Sequence, residues 1–403
     1  MTSRPTLLFY CQHAMGMGHL VRSLALADAL SQSFRVVLLN GGELPLSISV
    51  PQTIEIINLP PLRLADGQLI SCDSRYSVVQ AQDARIDQIL SSFRQLRPEV
   101  VLIELYPFGR KKFEFELLPL LEHAKTQSLF SPLIVCSLRD ILVSGRSDQQ
   151  RHEQRVVITA NRWFDAILVH SDPGFARLED SFDPRQCLSP SVHHTGFVVG
   201  NRRERPRDRS GNGRIVVSAG GGHYGFQLLS AALDAHALLS ESDPLTMKVV
   251  AGPFLPEAQW KELRVAADGR RGVTLVRSVP DLYSELSQAS ASVSQCGYNT
   301  AMEIVQAQVP ALVVPFADGG EDEQLKRAQR LQSLGAVRML EQKEMTPKRM
   351  VKEMRKLINF KPRPAPLDFD GAQRSTEILY DLLQERRLMQ GSHAVEELLR
   401  CQA

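Results

Sequence analysis

The chain is poor in aromatic residues, at 6% with two tryptophans, and its net charge is only +2 over 403 residues. So small a charge gives no global field for a polyanion, and no nucleic-acid partner is expected. The six cysteines, at positions 11, 72, 136, 187, 296 and 401, form no CxxC pair. Scattered thiols of this kind point to packing groups in a reducing, cytoplasmic setting and not to a zinc site or a disulfide framework. No stretch approaches the ~18 apolar residues of a membrane span. The N-terminal apolar run "TLLFYC" has no cleavage-like tail and reads as a strand, not as a signal peptide.

What remains is an ordinary globular composition, 43% hydrophobic and 23% charged. The length exceeds what one core usually holds, so two domains are expected. Strand candidates in the first half are "TLLFYC", "RVVLLN", "TIEIINL", "EVVLIEL", "LIVCSL" and "AILVH". They are rich in Val, Ile and Leu without alternation, as parallel strands buried on both faces should be. Helical stretches lie between them, at 19–31, 74–96 and 113–127. The βα alternation then breaks at the Arg-, Pro- and Gly-rich "NRRERPRDRSGNG" and restarts with "RIVVSA", "MKVVAG", "VTLVRSV", "ASVSQ" and "ALVVPF". The expected organisation is α/β, with two Rossmann-like doubly wound domains facing across a cleft. The first spans 1–199, a linker 200–213, the second 214–365. A terminal segment, 366–403, carries a helix near 372–388 and a separate amphipathic tail.

In open α/β sheets, ligands sit at the carboxyl ends of the strands. Four loops there are informative. "CQHAMGMGHLVR" places Gly16, Gly18 and His19 at the mouth of a helix. Glycines let a ligand approach the backbone, and a helix N-terminus favours an anion and a neutral imidazole. His19 is a candidate base there; a helix-capping or loop histidine is the plainer alternative. "SAGGGHYG" fits G-x-G-x-x-G at Gly220, Gly222 and Gly225, a diphosphate cradle. The next strand ends "VVAG" without the acid that an NAD ribose needs, so NAD is not expected. "SQCGYNTAMEIV" sets Gly297 before a helix that Asn299 or Thr300 can cap, with Glu303 one turn in. "ADGGEDEQLKRA" offers Glu323 and Gln324 to sugar hydroxyls. At two further strand ends, Glu104 could orient His19, and Arg139 and Asp140 could meet an anionic group or form ion pairs. His193 and His194 read as loop residues without metal-ligand spacing.

Together these loops resemble the GT-B glycosyltransferases, especially glycosyltransferase family 28. "SQCGYNTAMEIVQAQVPALVVPFADGGEDEQLKRAQRLQSLGA" is similar to that family's nucleotide-sugar segment, and "GMGHLVRSLALADAL" to its first loop and helix. The resemblance implies a donor set of Gly220, Gly221, Gly222, His223, Val279, Cys296, Gly297, Tyr298, Asn299, Thr300, Glu303, Glu323 and Gln324. Glu303 would bind the ribose, the Val279 backbone the base, and Glu323 and Gln324 the sugar. Gly16, Gly18, Arg139 and Asp140 would lie on the acceptor side, His19 and Glu104 at the reaction centre. The last helix would cross back to the first domain. The segment around Glu104 and "SLRDIL" departs from the peptidoglycan N-acetylglucosaminyltransferase of that family, so a different acceptor is expected.

The expected activity is metal-independent transfer of a sugar from a nucleotide-diphospho-sugar, UDP-linked, to a small-molecule or lipid-linked acceptor. Helix N-termini and glycine amides would hold the leaving diphosphate, so neither a metal nor a further cofactor is expected. The alternatives are a GT-B nucleotide-sugar hydrolase or epimerase, or a non-catalytic nucleotide-binding protein. The basic linker and "GRKK" (109–112) could lean on an anionic membrane surface, or be solvated loops.

Overall fold

A computed structural model describes residues 4–13, 17–45, 48–65, 67–126, 131–200, 213–240, 245–318 and 320–401, without the side chains of 240 and 390–401. The chain runs β1 (Thr6–Cys11), α1 (Gly18–Leu30), β2 (Arg35–Asn40), β3 (Glu55–Asn58), the hairpin β4 (Leu62–Ala65) and β5 (Gln68–Ser71), α2 (Val78–Leu96), and β6 (Val100–Glu104). It continues through α3 (Glu114–Thr126), β7 (Leu133–Arg139), α4 (Gln149–Trp163), β8 (Ala166–His170) and β9 (Ser191–His194). Among the described residues these strands make a seven-stranded sheet, ordered β3-β2-β1-β6-β7-β8-β9, and a separate β4-β5 pair.

The second unit runs β10 (Arg214–Ser218), α5 (Phe226–Ser240), β11 (Thr246–Val250), α6 (Glu257–Ala267), β12 (Val273–Val276), α7 (Leu282–Gln288) and β13 (Ala291–Ser294). It continues through α8 (Tyr298–Ala307), β14 (Ala311–Val313), α9 (Glu323–Ser333), β15 (Arg338–Met339) and α10 (Pro347–Leu357), and α11 (Gly371–Cys401) ends the chain. Its described strands order as β12-β11-β10-β13-β14-β15. Every pairing in both large sheets is parallel. Each sheet reverses its strand order once, between β1 and β6 and between β10 and β13, and such switch points open the crevices that ligands use.

The strands are apolar because both faces are covered. Leu7, Phe9, Val36, Leu38 and Leu102 pack on one side of the first sheet, and Leu8, Tyr10, Val37, Val101 and Ile103 on the other. α11 returns to the first sheet: Leu379 and Leu383 are buried in its core, and Arg387 pairs with Glu99 beside β6.

Several local expectations are corrected. α2 starts at Val78 and not at 74, because Ser77 and Gln80 form a reciprocal capping box. His193 and His194 lie in β9 and not in a loop; their backbone completes the ladder beside β8. The terminal helix and the tail are one helix, because the segment between them carries Gly391 and no proline to stop it. Of the expected linker, 200–213, residues 201–212 lie outside the described residues.

Candidate active site between the two sheets

β1 and β6 end side by side at the first switch point. Glu104 is the last residue of β6 and is fully buried. An ionised carboxylate there needs partners, and it has three. His19 Nδ1 lies 2.6 Å from Oε1, Arg22 Nη2 donates to the same oxygen, and Ser137 Oγ donates to Oε2 at 3.1 Å. Burial pushes the Glu104 pKa up, but Arg22 and His19 outweigh it and hold it at about 2. His19 is driven down to about 3 by burial and by the Arg110 charge, against the pull of Glu104. The imidazole is therefore neutral near pH 7. Facing a carboxylate, Nδ1 must carry the proton, and Nε2 keeps its basic lone pair.

α1 supplies both His19 and Arg22, one helical turn apart. Its N-terminus at Met17 has no side-chain cap and no acid in the first turn, so its amides remain open. Gly16 lies outside the described residues. His13, at the end of β1, is buried against Gly42; its Nε2 has no partner, and burial lowers its pKa to about 4.

β10 and β13 end at the second switch point. Gly220 takes a positive φ of +59°, beside Thr300. Gly222, at φ +93°, has a different task from the one its motif suggests. A Cβ there would fall 2.5 Å from Ala251 O, so it lets this loop press on the end of β11. Gly221 O accepts Phe254 N at 3.0 Å. His223 is edge-on to Tyr224, which stacks on Phe316 with centroids 4.5 Å apart. Gly297 is the N-cap of α8, with open space where a Cβ would project. Asn299 and Thr300 do not cap the helix; Asn299 instead donates to Gly18 O at 3.0 Å, tying α8 to the start of α1. Glu303 is buried one turn in, and Val279 is half-buried just after β12.

The remaining predicted residues tie the strand ends of the second sheet together or bridge the two units. Gln324 Oε1 accepts from Cys296 N and Phe316 N, joining the ends of β13 and β14, and the buried Cys296 thiol is pushed up to about 12. Glu323 is paired with Arg139 across the cleft, Nη1 to Oε1 at 2.8 Å. Asp140 is not on an acceptor surface: Arg327 of α9 holds both its oxygens at 2.7 Å, and both groups are buried. Tyr298 is a cross-sheet contact and not an open donor group. Its hydroxyl donates to His170 O at 3.1 Å and accepts from Val198 N at 2.8 Å.

Sequence reading missed Ser137, His170 and Arg327. His170 Nε2 lies 2.9 Å from Ser137 Oγ, and its Nδ1 lies 3.0 Å from Thr195 Oγ1. Since Ser137 gives its proton to Glu104, His170 Nε2 must donate to Ser137. A polar residue closing the apolar strand "AILVH" is the same signal that exposed Glu104. Asp368-Phe369-Asp370 spells a D-x-D triplet, which sequence reading also passed over. Asp368 pairs with Arg374 and accepts from Asp370 N. No cluster fit to hold a metal occurs among the described residues.

Residues 216–380 match the glycosyltransferase family 28 C-terminal domain. A UDP-N-acetylglucosamine–N-acetylmuramyl-(pentapeptide) pyrophosphoryl-undecaprenol N-acetylglucosamine transferase of Bordetella pertussis is 30% identical over 202 residues, covering 49% of this chain and 53% of that protein. The chain spans about half the length of the curated relatives it matches. Acinetobacter baumannii MurG superposes with a TM-score of 0.52 at 16% identity, over 94% of this chain and 100% of that one. S. aureus MnaA, in a structure with UDP, gives 0.62 at 12% identity, over 94% and 97%. At such identities the structural likeness speaks for the fold, which is the two-domain GT-B fold. The likeness to family 28 thus covers residues 216–380, and the likeness of the whole chain is to the GT-B fold.

Proposed function

We propose that the protein is a glycosyltransferase, moving a sugar from a nucleoside-diphospho-sugar to an acceptor hydroxyl without a metal. The observation that carries this reading is the His19–Glu104 pair: a neutral imidazole, oriented by a buried carboxylate, at the switch point facing the loops of the second sheet. Such an imidazole can take the acceptor proton through Nε2 while Glu104 stabilises the imidazolium that forms. Attack by a hydroxyl activated in this way, in a single displacement, inverts the anomeric centre.

The leaving diphosphate would be held by the Gly220–Gly222 loop and the uncapped start of α8, whose amides and dipole favour negative charge. Open space at Gly297 leaves room for it. Glu303 would take the ribose and the Val279 backbone the base. UDP is the proposed carrier, since UDP is named in the Bordetella relative and in the MnaA structure. That relative's name also carries an undecaprenol-linked acceptor; for this chain the acceptor is proposed as a small molecule or a lipid-linked one. No described helix is long and apolar enough to cross a membrane. Of "GRKK", Arg110 is half-buried, with its Nε and Nη2 closed off from the surface.

The test is UDP release from a panel of UDP-sugars with candidate acceptors. The proposal expects acceptor-dependent release that His19→Ala abolishes while UDP binding persists. Release without any acceptor would favour a hydrolase, and unchanged turnover in His19→Ala would remove the base.

A further inference from the structure

The loop after β6 contains a guanidinium with two nitrogens left unpartnered. Arg110 takes a left-handed backbone, φ +62°, and leaves the otherwise basic surface run with part of its guanidinium buried. Its Nε and Nη2 are buried and have no hydrogen-bond partner. The guanidinium lies among His13, His19, Tyr10, Cys11, Glu104 and Arg139, all of which sense its charge or are sensed by it. The one carboxylate within this group, Glu104, spends its hydrogen bonds on His19, Arg22 and Ser137. Glu323 is taken by Arg139. Arg22 Nε and Arg139 Nε are unpartnered as well. Three guanidinium groups thus surround the reaction centre with donors left over and two carboxylates already engaged. Arg110 as a whole is half-buried, but two of its nitrogens are closed off from water, and desolvated donors without a partner are expensive to keep. Burial disfavours the charged form of Arg110, yet a guanidinium does not give up its proton in a protein.

We propose that Arg110 is an anion-binding residue of the acceptor site, holding a phosphoryl or carboxylate group that the acceptor carries close to the hydroxyl His19 activates. The proposal rests on the reading of His19 as base. A planar fork with unused N–H groups suits either oxyanion. The alternative anion is the donor's own diphosphate, but the placement speaks against it. Arg110 belongs to the first sheet, on the loop leaving β6, whereas the glycine loop and the α8 N-terminus close the second. A small cavity lies next in the chain to Arg110, lined by Gly109 and Arg139 together with Phe108, Leu142, Phe182 and Arg146. An acceptor with an apolar part next to its anionic group would use both.

The test is calorimetric titration of phenyl phosphate and of benzoate into UDP-saturated protein, for the wild type, Arg110→Gln and Arg110→Lys. At least one anion should bind the wild type, and which one names the group. Binding should weaken by about ten-fold or more in Arg110→Gln and be partly kept in Arg110→Lys, the size of a lost charge-assisted hydrogen bond. The UDP affinity should be the same in all three. Arg110→Gln without ligand should melt no lower than the wild type, since the substitution breaks no hydrogen bond or ion pair recorded among the described residues and removes a partly desolvated charge. Absence of anion binding to the UDP-loaded wild type overturns the proposal. So does an equal loss of UDP affinity in Arg110→Gln, which would assign the residue to the donor diphosphate, or a lower melting temperature, which would make it structural. If UDP itself fails to bind, the donor reading falls separately, and the same titration into the free protein decides Arg110.

Discussion

Arg327 of α9 reaches across the cleft and holds both carboxylate oxygens of Asp140, at the end of β7, at 2.7 Å each, with neither side chain exposed. The same guanidinium donates to Cys296 O at 2.8 Å. One buried fork therefore fixes the start of α9, the loop before α8 and the first sheet relative to one another. Ser144 to Asp322 at 3.0 Å, Arg139 to Glu323, and Asn299 to Gly18 extend the seam.

Breaking that fork on one side should be severe. Asp140→Ala leaves a buried, unpaired guanidinium and should cost about 3–5 kcal/mol, read by denaturant unfolding. Asp140→Ala with Arg327→Met removes both charges and should recover much of the loss. A single mutant within about 1 kcal/mol of the wild type would mean that water already reaches the pair.

Glu104→Gln keeps the shape of the dyad but removes the charge that stabilises His19 when it is protonated. Turnover should fall by about 10²–10⁴-fold, with UDP affinity unchanged, in steady-state kinetics and calorimetry. An equal fall in UDP affinity would show that Glu104 serves the donor site.

The glycines separate folding from binding. Gly222→Ala places a Cβ against Ala251 O at a φ of +93° and should destabilise by about 1–3 kcal/mol in thermal unfolding. Gly297 has an ordinary φ of −64° and open space beside it, so Gly297→Ala should leave the melting temperature unchanged while weakening UDP binding. Unchanged UDP binding in Gly297→Ala would remove the α8 N-terminus from the phosphate site.

Acid stability follows from the imidazoles that desolvation keeps neutral. His19 and His170 are held neutral by burial, each with a pKa of about 3 against an ordinary 6.5. Below pH 6.5 the unfolded chain gains protons that the folded state refuses, so stability falls from there down to about pH 3. Glu104, depressed from 4.5 to about 2, adds its own loss between those values. Melting temperatures measured from pH 8 to pH 4 should therefore start to drop near 6.5. A plateau down to pH 5 would contradict histidines held neutral in the folded state.

The sequence made the sheets legible because buried parallel strands are continuous apolar runs, and a lone polar residue at the end of one stands out. Glu104, Arg139 and Asp140 were found in that way; His170 carries the same mark. What stayed hidden depends on distance along the chain or on one backbone angle. Asp140 and Arg327 are 187 residues apart, and nothing local to either says that they meet. Tyr298 sits in a stretch that reads as donor loop, but its hydroxyl faces His170 O and Val198 N. Arg110 hides in a run that reads as a solvated basic loop, and neither its positive φ nor its closed-off nitrogens can be read from that run. The hairpin Leu62–Ser71 has strands of four residues, too short for a clear period.

The most direct test of the account is thermal unfolding with UDP, GDP, dTDP and NAD at saturating concentration. The account predicts that UDP stabilises the protein, by about 2.7 kcal/mol at 100 times its Kd, and that NAD does not. No shift with any nucleoside diphosphate, or a shift with NAD alone, would contradict it.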